Sequence, residues 1–286
     1  VTKLQSVSEP ESLKPRRGFK ERVRDIPRDA FETVREISRN TIESVRDFNR
    51  NPEPERVGQR WGFGAFLLVE AVFILSAVFI TAVGASYGAT LESSTTLVLV
   101  GSLVPIMLAA SLAVVITYVR GNGPVIDLRL SLTKSDVVFG LKIGVVGLVF
   151  TYVAATVWAK IVGKDNATSA IGELFSNANL PLSAAITMFL YMSFIGPICE
   201  EIIFRGLLWG AVLRQGWSRL AAFVLTTVIF ALSHLEPQRT WLLLVIAIPI
   251  GVARLVTRSL GASMVAHVLN NFLPGLSLLL LSAGVI

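Results

Sequence analysis

The sequence predicts an all-α polytopic membrane protein, with about seven transmembrane helices around a buried polar site and an amphipathic helix before them. Three observations carry this expectation. Mean hydropathy is +0.65 and 53% of the 286 residues are hydrophobic, above the composition of an ordinary soluble domain. Charge is segregated: residues 1–60 hold 14 of the 26 basic and 11 of the 20 acidic residues. After Arg60 the chain breaks into seven apolar segments long enough to span or nearly span a bilayer as helices.

The charged segment, 1–60, contains a repeat of eleven: FKERVRDIPRD (19–29), AFETVREISRN (30–40) and TIESVRDFNRN (41–51). Glu21, Glu32 and Glu43 align, as do Val23, Val34 and Val45. An eleven-residue period keeps apolar positions on one nearly straight stripe. The repeats therefore predict an amphipathic helix, read as lying on the membrane surface, with a solvated helix or coiled coil as the plainer alternative. Pro27 starts or kinks it and NPEPE (51–55) ends it. The segment lacks the apolar run of a cleavable signal peptide.

The second region, 61–286, is expected to span at 61–86, 94–119, 137–162, 182–213, 218–235, 240–257 and 260–286. The fourth is long and carries Pro197, which predicts a bend. GNGPVIDLRLSLTKSD and GKDNATSAIGELFSNANLP read as interfacial loops. Arg46, Arg50, Arg56, Arg60, Arg120, Arg129, Lys134, Arg214, Arg219, Arg254 and Arg258 fall near alternate span ends, against Lys160, Lys164 and Arg239 on the other side. The positive-inside bias and the odd span count then place the N-terminus in the cytoplasm and the C-terminus outside. The net charge of +6 sets topology on this reading; no nucleic-acid motif accompanies it.

PICEEIIFRG (197–206) puts Glu200, Glu201 and Arg205 inside an apolar stretch, where each charge costs a few kcal/mol or more. Glu201 and Arg205 are four apart, the favourable order for an ion pair, and Glu200 points about 100° away. One carboxylate would be held by the arginine and the other left free to exchange protons. The only histidines, His234 and His267, share helix faces with Phe230 and Asn271, each four residues away. At about 1.5 Å per residue, Glu200, His234, His267 and Asn271 lie roughly 12 to 25 Å from their span ends, compatible with one cluster. Polar residues can also simply glue helices together. Glu70, alone on the first span, has no assigned role, and Cys199 reads as a small packed residue.

EEIIFR (200–205), FALSH (230–234) and HVLNN (267–271), in this order on successive apolar helices, resemble the three motifs of the CAAX protease and bacteriocin-processing family, which includes the type II CAAX prenyl endopeptidases. The resemblance covers about 130–286; the repeats lie outside it. It implies an intramembrane endopeptidase in which Glu200 and His234 activate water, His267 and Asn271 face the oxyanion, Glu201 and Arg205 hold the site, and Phe230 packs beneath. It further implies a membrane-anchored or prenylated peptide or protein as substrate. The family's described metal dependence makes zinc a candidate at Glu200, His234 and His267, although no His-x-x-x-His pair is present; no cofactor is assigned. Two other classes stay open: a proton- or ion-coupled transporter, since intramembrane Glu, Arg and His also mark ion pathways, and a non-catalytic scaffold. Oligomeric state and physiological substrate are not legible.

Overall fold

Apolar runs with no water to bond their backbones must satisfy them internally, and in this chain they do so as helices. The computed structural model describes residues 28–46, 58–91, 93–163 and 181–285; among these there is no strand. In chain order the helices are α1 (Arg28–Arg46), α2 (Phe63–Ser86), α3 (Thr95–Arg120), the single turn α4 (Pro124–Asp127), α5 (Lys134–Val162), α6 (Leu182–Arg214), α7 (Arg219–Ser233), α8 (Thr240–Thr257) and α9 (Leu260–Ser282). The protein is a multi-pass integral membrane protein: α2, α3, α5, α6, α8 and α9 are each long and apolar enough to cross a bilayer.

The fifth expected span is the short one. Residues 218–235 form only α7, of 15 residues, about 22 Å at 1.5 Å per residue against a hydrocarbon core of about 30 Å. Ser218 caps its start by accepting from Ala221 N–H at 3.2 Å. The helix stops at His234 because Leu235 turns to φ 54° and Pro237 comes two residues later, which disfavours helix at the residue before it.

Of the N-terminal repeats, the first copy lies outside the described residues apart from Arg28 and Asp29. The second and part of the third form α1. Ile37 is buried against Ile143, Ala253, Ala262 and Ala266, and Glu36 pairs with Lys142 at 2.9 Å, whereas Val34 and Ile42 are exposed. Ile37 and the Glu36–Lys142 pair thus tie the helix to α5 and α8. The loop expected at 163–181 lies outside the described residues except for its two ends.

Helix α5 runs against α9 along a glycine seam. A Cβ on Gly140 would sit 2.6 Å from the backbone oxygen of Ala262, and one on Gly144 2.9 Å from Leu269. Only glycine permits that approach, as in other membrane helix pairs. Thr151, farther along α5, donates to Asn270 Oδ1 at 2.7 Å. The turn around α4 is fastened by buried Asp127, which accepts from Trp61 Nε1 at 2.8 Å and from Asn122 N and Nδ2 at 3.1 and 2.9 Å.

Helix α6 is not a uniform α-helix. It absorbs Pro197 through two π turns, Tyr191–Ile195 and Ile202–Leu208, on either side of Gly196–Glu201. Proline has no N–H to give the carbonyl four residues back, and Gly196 N–H instead reaches Tyr191 O, five back. Such π turns recur at functional sites, and these two bracket both glutamates.

Candidate active site

The first π turn ends five residues before Glu200 and the second begins one residue after Glu201. Between them, Glu201 is fully buried and its Oε1 lies 3.0 Å from Arg205 Nη1, itself fully buried. The guanidinium also rests over the Phe230 ring, 4.3 Å from its centroid, a favourable contact for a desolvated cation. The same Oε1 accepts from His267 Nδ1 at 3.0 Å. This bond fixes the imidazole's orientation and puts its proton on Nδ1, leaving Nε2 to face Glu200 Oε2 at 3.5 Å. The Glu200 side chain remains 22% exposed. Two neighbouring carboxylates therefore have different surroundings: one locked between arginine and histidine, one reachable.

Phe230 is the aromatic centre of the cluster, edge-on to Phe204, His234 and His267 at centroid distances of 5.4, 4.8 and 5.6 Å. His234 sits at the end of α7, with Nδ1 2.8 Å from Phe230 O. A carbonyl can only accept, so Nδ1 carries a proton, and in the neutral ring Nε2 keeps its lone pair. One turn beyond His267, Asn271 Nδ2 donates to Met192 O at 3.3 Å, a carbonyl of the first π turn.

Of the six residues singled out in the sequence, Glu200, Glu201, Arg205 and His267 are linked directly, His234 joins through Phe230, and Asn271 is held beside them by the backbone of α6. Sequence reasoning missed Arg254 here. Its position at a span end reads as a marker of topology, yet it is fully buried, its Nε donating to Arg205 O at 3.2 Å and its guanidinium 5.0 Å from the Trp209 ring centroid. Arg219 is likewise 4% exposed, with Nη1 on Leu255 O at 3.4 Å. Both direct their charge to carbonyls or rings inside the bundle. Two of the arginines counted toward the expected terminal orientation are thus buried in the bundle. Cys199 is buried in the main core cluster. Glu70 is half-buried on α2.

Zinc asks for three protein ligands converging within about 2 Å of one point. Glu200 and His267 approach each other, but among the described residues no three His, Cys, Asp or Glu side chains come together closely enough to hold a metal ion. The set Glu200, His234 and His267 does not fit zinc in this arrangement.

An apolar cavity of about 360 Å³ lies between α5, α6 and α9, lined by Leu141, Ile198, Met264, Val268, Leu269 and Phe272 among others. Ile198 is two residues before Glu200 and Val268 is the residue after His267.

Comparison with known proteins adds one finding. A family model described as type II CAAX prenyl endopeptidase Rce1-like matches residues 182–273, the interval from the start of α6 into α9 that carries all three motifs. No curated protein and no solved structure matches the chain. The match supports a peptidase of the CAAX type acting on a membrane-associated substrate. Residues 182–273 are thus similar to type II CAAX prenyl endopeptidases of the Rce1-like kind, within a multi-pass membrane protein.

Proposed function

We propose that the protein is an intramembrane endopeptidase that hydrolyses a peptide bond in a membrane-anchored peptide or protein, by CAAX-type C-terminal processing or a related maturation. The observation that carries this reading is His267 standing between the two glutamates, Nδ1 on Glu201 at 3.0 Å and Nε2 toward Glu200 at 3.5 Å. Peptide hydrolysis needs a base for water, a proton for the leaving amine and donors aimed at the tetrahedral oxyanion. Glu200, the reachable carboxylate, takes the water proton, and His234, with its Nε2 lone pair free of Phe230, helps to align that water. The protonated Glu200 then returns its proton to the leaving amine.

His267 and Asn271 supply the oxyanion donors. For Nε2 of His267 to donate, the ring must carry both protons, and the Glu201 carboxylate is the counter-charge placed against that form. Asn271 has two N–H donors; Met192 O occupies one, leaving the other for substrate. Arg205 holds Glu201, and Phe230 supports both rings and the guanidinium. The apolar cavity lined by Ile198 and Val268 suits a lipid chain on the substrate, on the same two helices that carry Glu200 and His267.

The test is cleavage of quenched fluorescent peptides by the detergent-purified full chain, with and without a prenyl group near the C-terminus and with and without a chelator. Turnover that requires Glu200, rises with the prenyl group and survives chelation supports the scheme as written. Transport of ions or solutes in liposomes without any cleavage would favour the carrier reading instead.

A further inference from the structure

Away from the glutamates, the arginine-rich end of the bundle holds a second, polar cavity of about 450 Å³. It forms where the turn after α4 meets the turn joining α8 to α9, at the ends of three spans. Arg129 and Arg258 both line it, one from each turn. Both have left-handed backbones, φ 57° and 58°, a conformation that is costly for any residue with a Cβ and clusters at functional positions.

The two turns are fastened together. Leu260 N–H donates to Arg129 O at 2.9 Å, Ser259 Oγ donates to Ser131 O at 3.1 Å, and the two serine oxygens lie 3.0 Å apart. The strained backbones are therefore fixed, and each carries its arginine to the same concavity.

The charges there do not cancel locally. Asp136, the acidic residue of the lining, is engaged by its own capping box, accepting from Thr133 N at 2.9 Å and Thr133 Oγ1 at 2.8 Å, with Ser131 Oγ at 3.4 Å. Among the described residues the side chains of Arg129 and Arg258 have no hydrogen bond or ion pair with it, and Arg129 Nε is buried without a hydrogen-bond partner. Five hydroxyl-bearing residues complete the wall. Two arginines with hydroxyls around them form an oxyanion receptor, suited above all to phosphate.

We propose that this cavity binds the phosphate group of an anionic lipid. Free inorganic phosphate has the same oxyanion chemistry, but the surroundings favour the lipid: Val125 of the lining is 64% exposed, and Ile126 and Leu132, each next in sequence to a lining residue, are 54 and 67% exposed, apolar groups at the span ends where acyl chains would begin. A basic pocket between membrane helices at headgroup level is a recurrent form of lipid recognition.

The test uses the full chain in detergent and the variants Arg129→Gly, Arg258→Gly and both together. Glycine adopts positive φ freely, so these changes remove the guanidinium without breaking the turn. Binding of phosphatidylglycerol, phosphatidylcholine and inorganic phosphate is followed by native mass spectrometry and by the thermal midpoint. Phosphatidylglycerol should bind native protein more tightly than phosphatidylcholine and raise its midpoint, and each single variant should weaken it about fivefold. Equal phosphatidylglycerol affinity in native protein and double variant overturns the site. Arginine-dependent stabilisation by inorganic phosphate, with none by phosphatidylglycerol, overturns the lipid as its ligand.

Discussion

Replacing Arg205 by alanine should damage folding and activity together. The pair it forms with Glu201 is fully buried on both sides at 3.0 Å, so removing the arginine strands a carboxylate with no water to reach. Breaking one partner of a buried pair costs about 3 to 5 kcal/mol. Loss of the guanidinium over Phe230 adds about 0.5 to 2 kcal/mol. Arg205→Lys should recover only part, because an ammonium lacks the planar fork and stacks poorly on the ring. Glu201→Gln with Arg205→Gln removes both charges and should be more stable than Arg205→Ala. It should still be a poor enzyme, because His267 would lose the carboxylate on its Nδ1. The assay is thermal unfolding in detergent alongside peptide turnover for all three variants. Native turnover in the double variant would mean that the pair only glues helices and that chemistry rests on Glu200 and the histidines; an unchanged midpoint for Arg205→Ala would refute the energetic argument.

Glu200→Gln, His234→Ala and His267→Ala should each abolish cleavage with the fold retained, as judged by turnover and size-exclusion profile; near-normal turnover in any one removes that residue from the mechanism. Asn271→Ala should slow turnover by about 10² to 10³, the usual cost of one oxyanion donor, and a change confined to KM would assign it to binding alone. Gly140→Ala should lower the thermal midpoint even though alanine is the better helix former by about 1 kcal/mol. Its Cβ would meet the Ala262 backbone oxygen at 2.6 Å, and a raised midpoint would show that the seam has room. Removing residues 1–51 should leave cleavage of a soluble short peptide intact, because none of the site residues lies there; loss of that activity would make the contact of Ile37 with α5 and α8 essential.

By itself the sequence determined those features that spacing along one helix and the cost of polarity in lipid dictate. Apolar run lengths placed six long helices within a few residues of their observed ends. A separation of four fixed Glu201 against Arg205, and His234 beneath Phe230, without knowledge of any other helix. The fifth expected span came out shorter than its apolar run because hydropathy does not register where a backbone turns, and Leu235 turns at φ 54°. The Gly140 to Gly144 spacing is a signal for close helix approach that hydropathy alone does not pick up. Tertiary structure alone decided which nitrogen of His267 faces which glutamate, since that depends on how α9 crosses α6. It also decided that Arg219 and Arg254 lie inside the bundle. An arginine at a span end looks the same in sequence whether its partner is a headgroup or a buried carbonyl. Only packing settles which groups are near enough to bond, because electrostatic and hydrogen-bond energies depend on distances of a few ångströms between residues far apart in the chain.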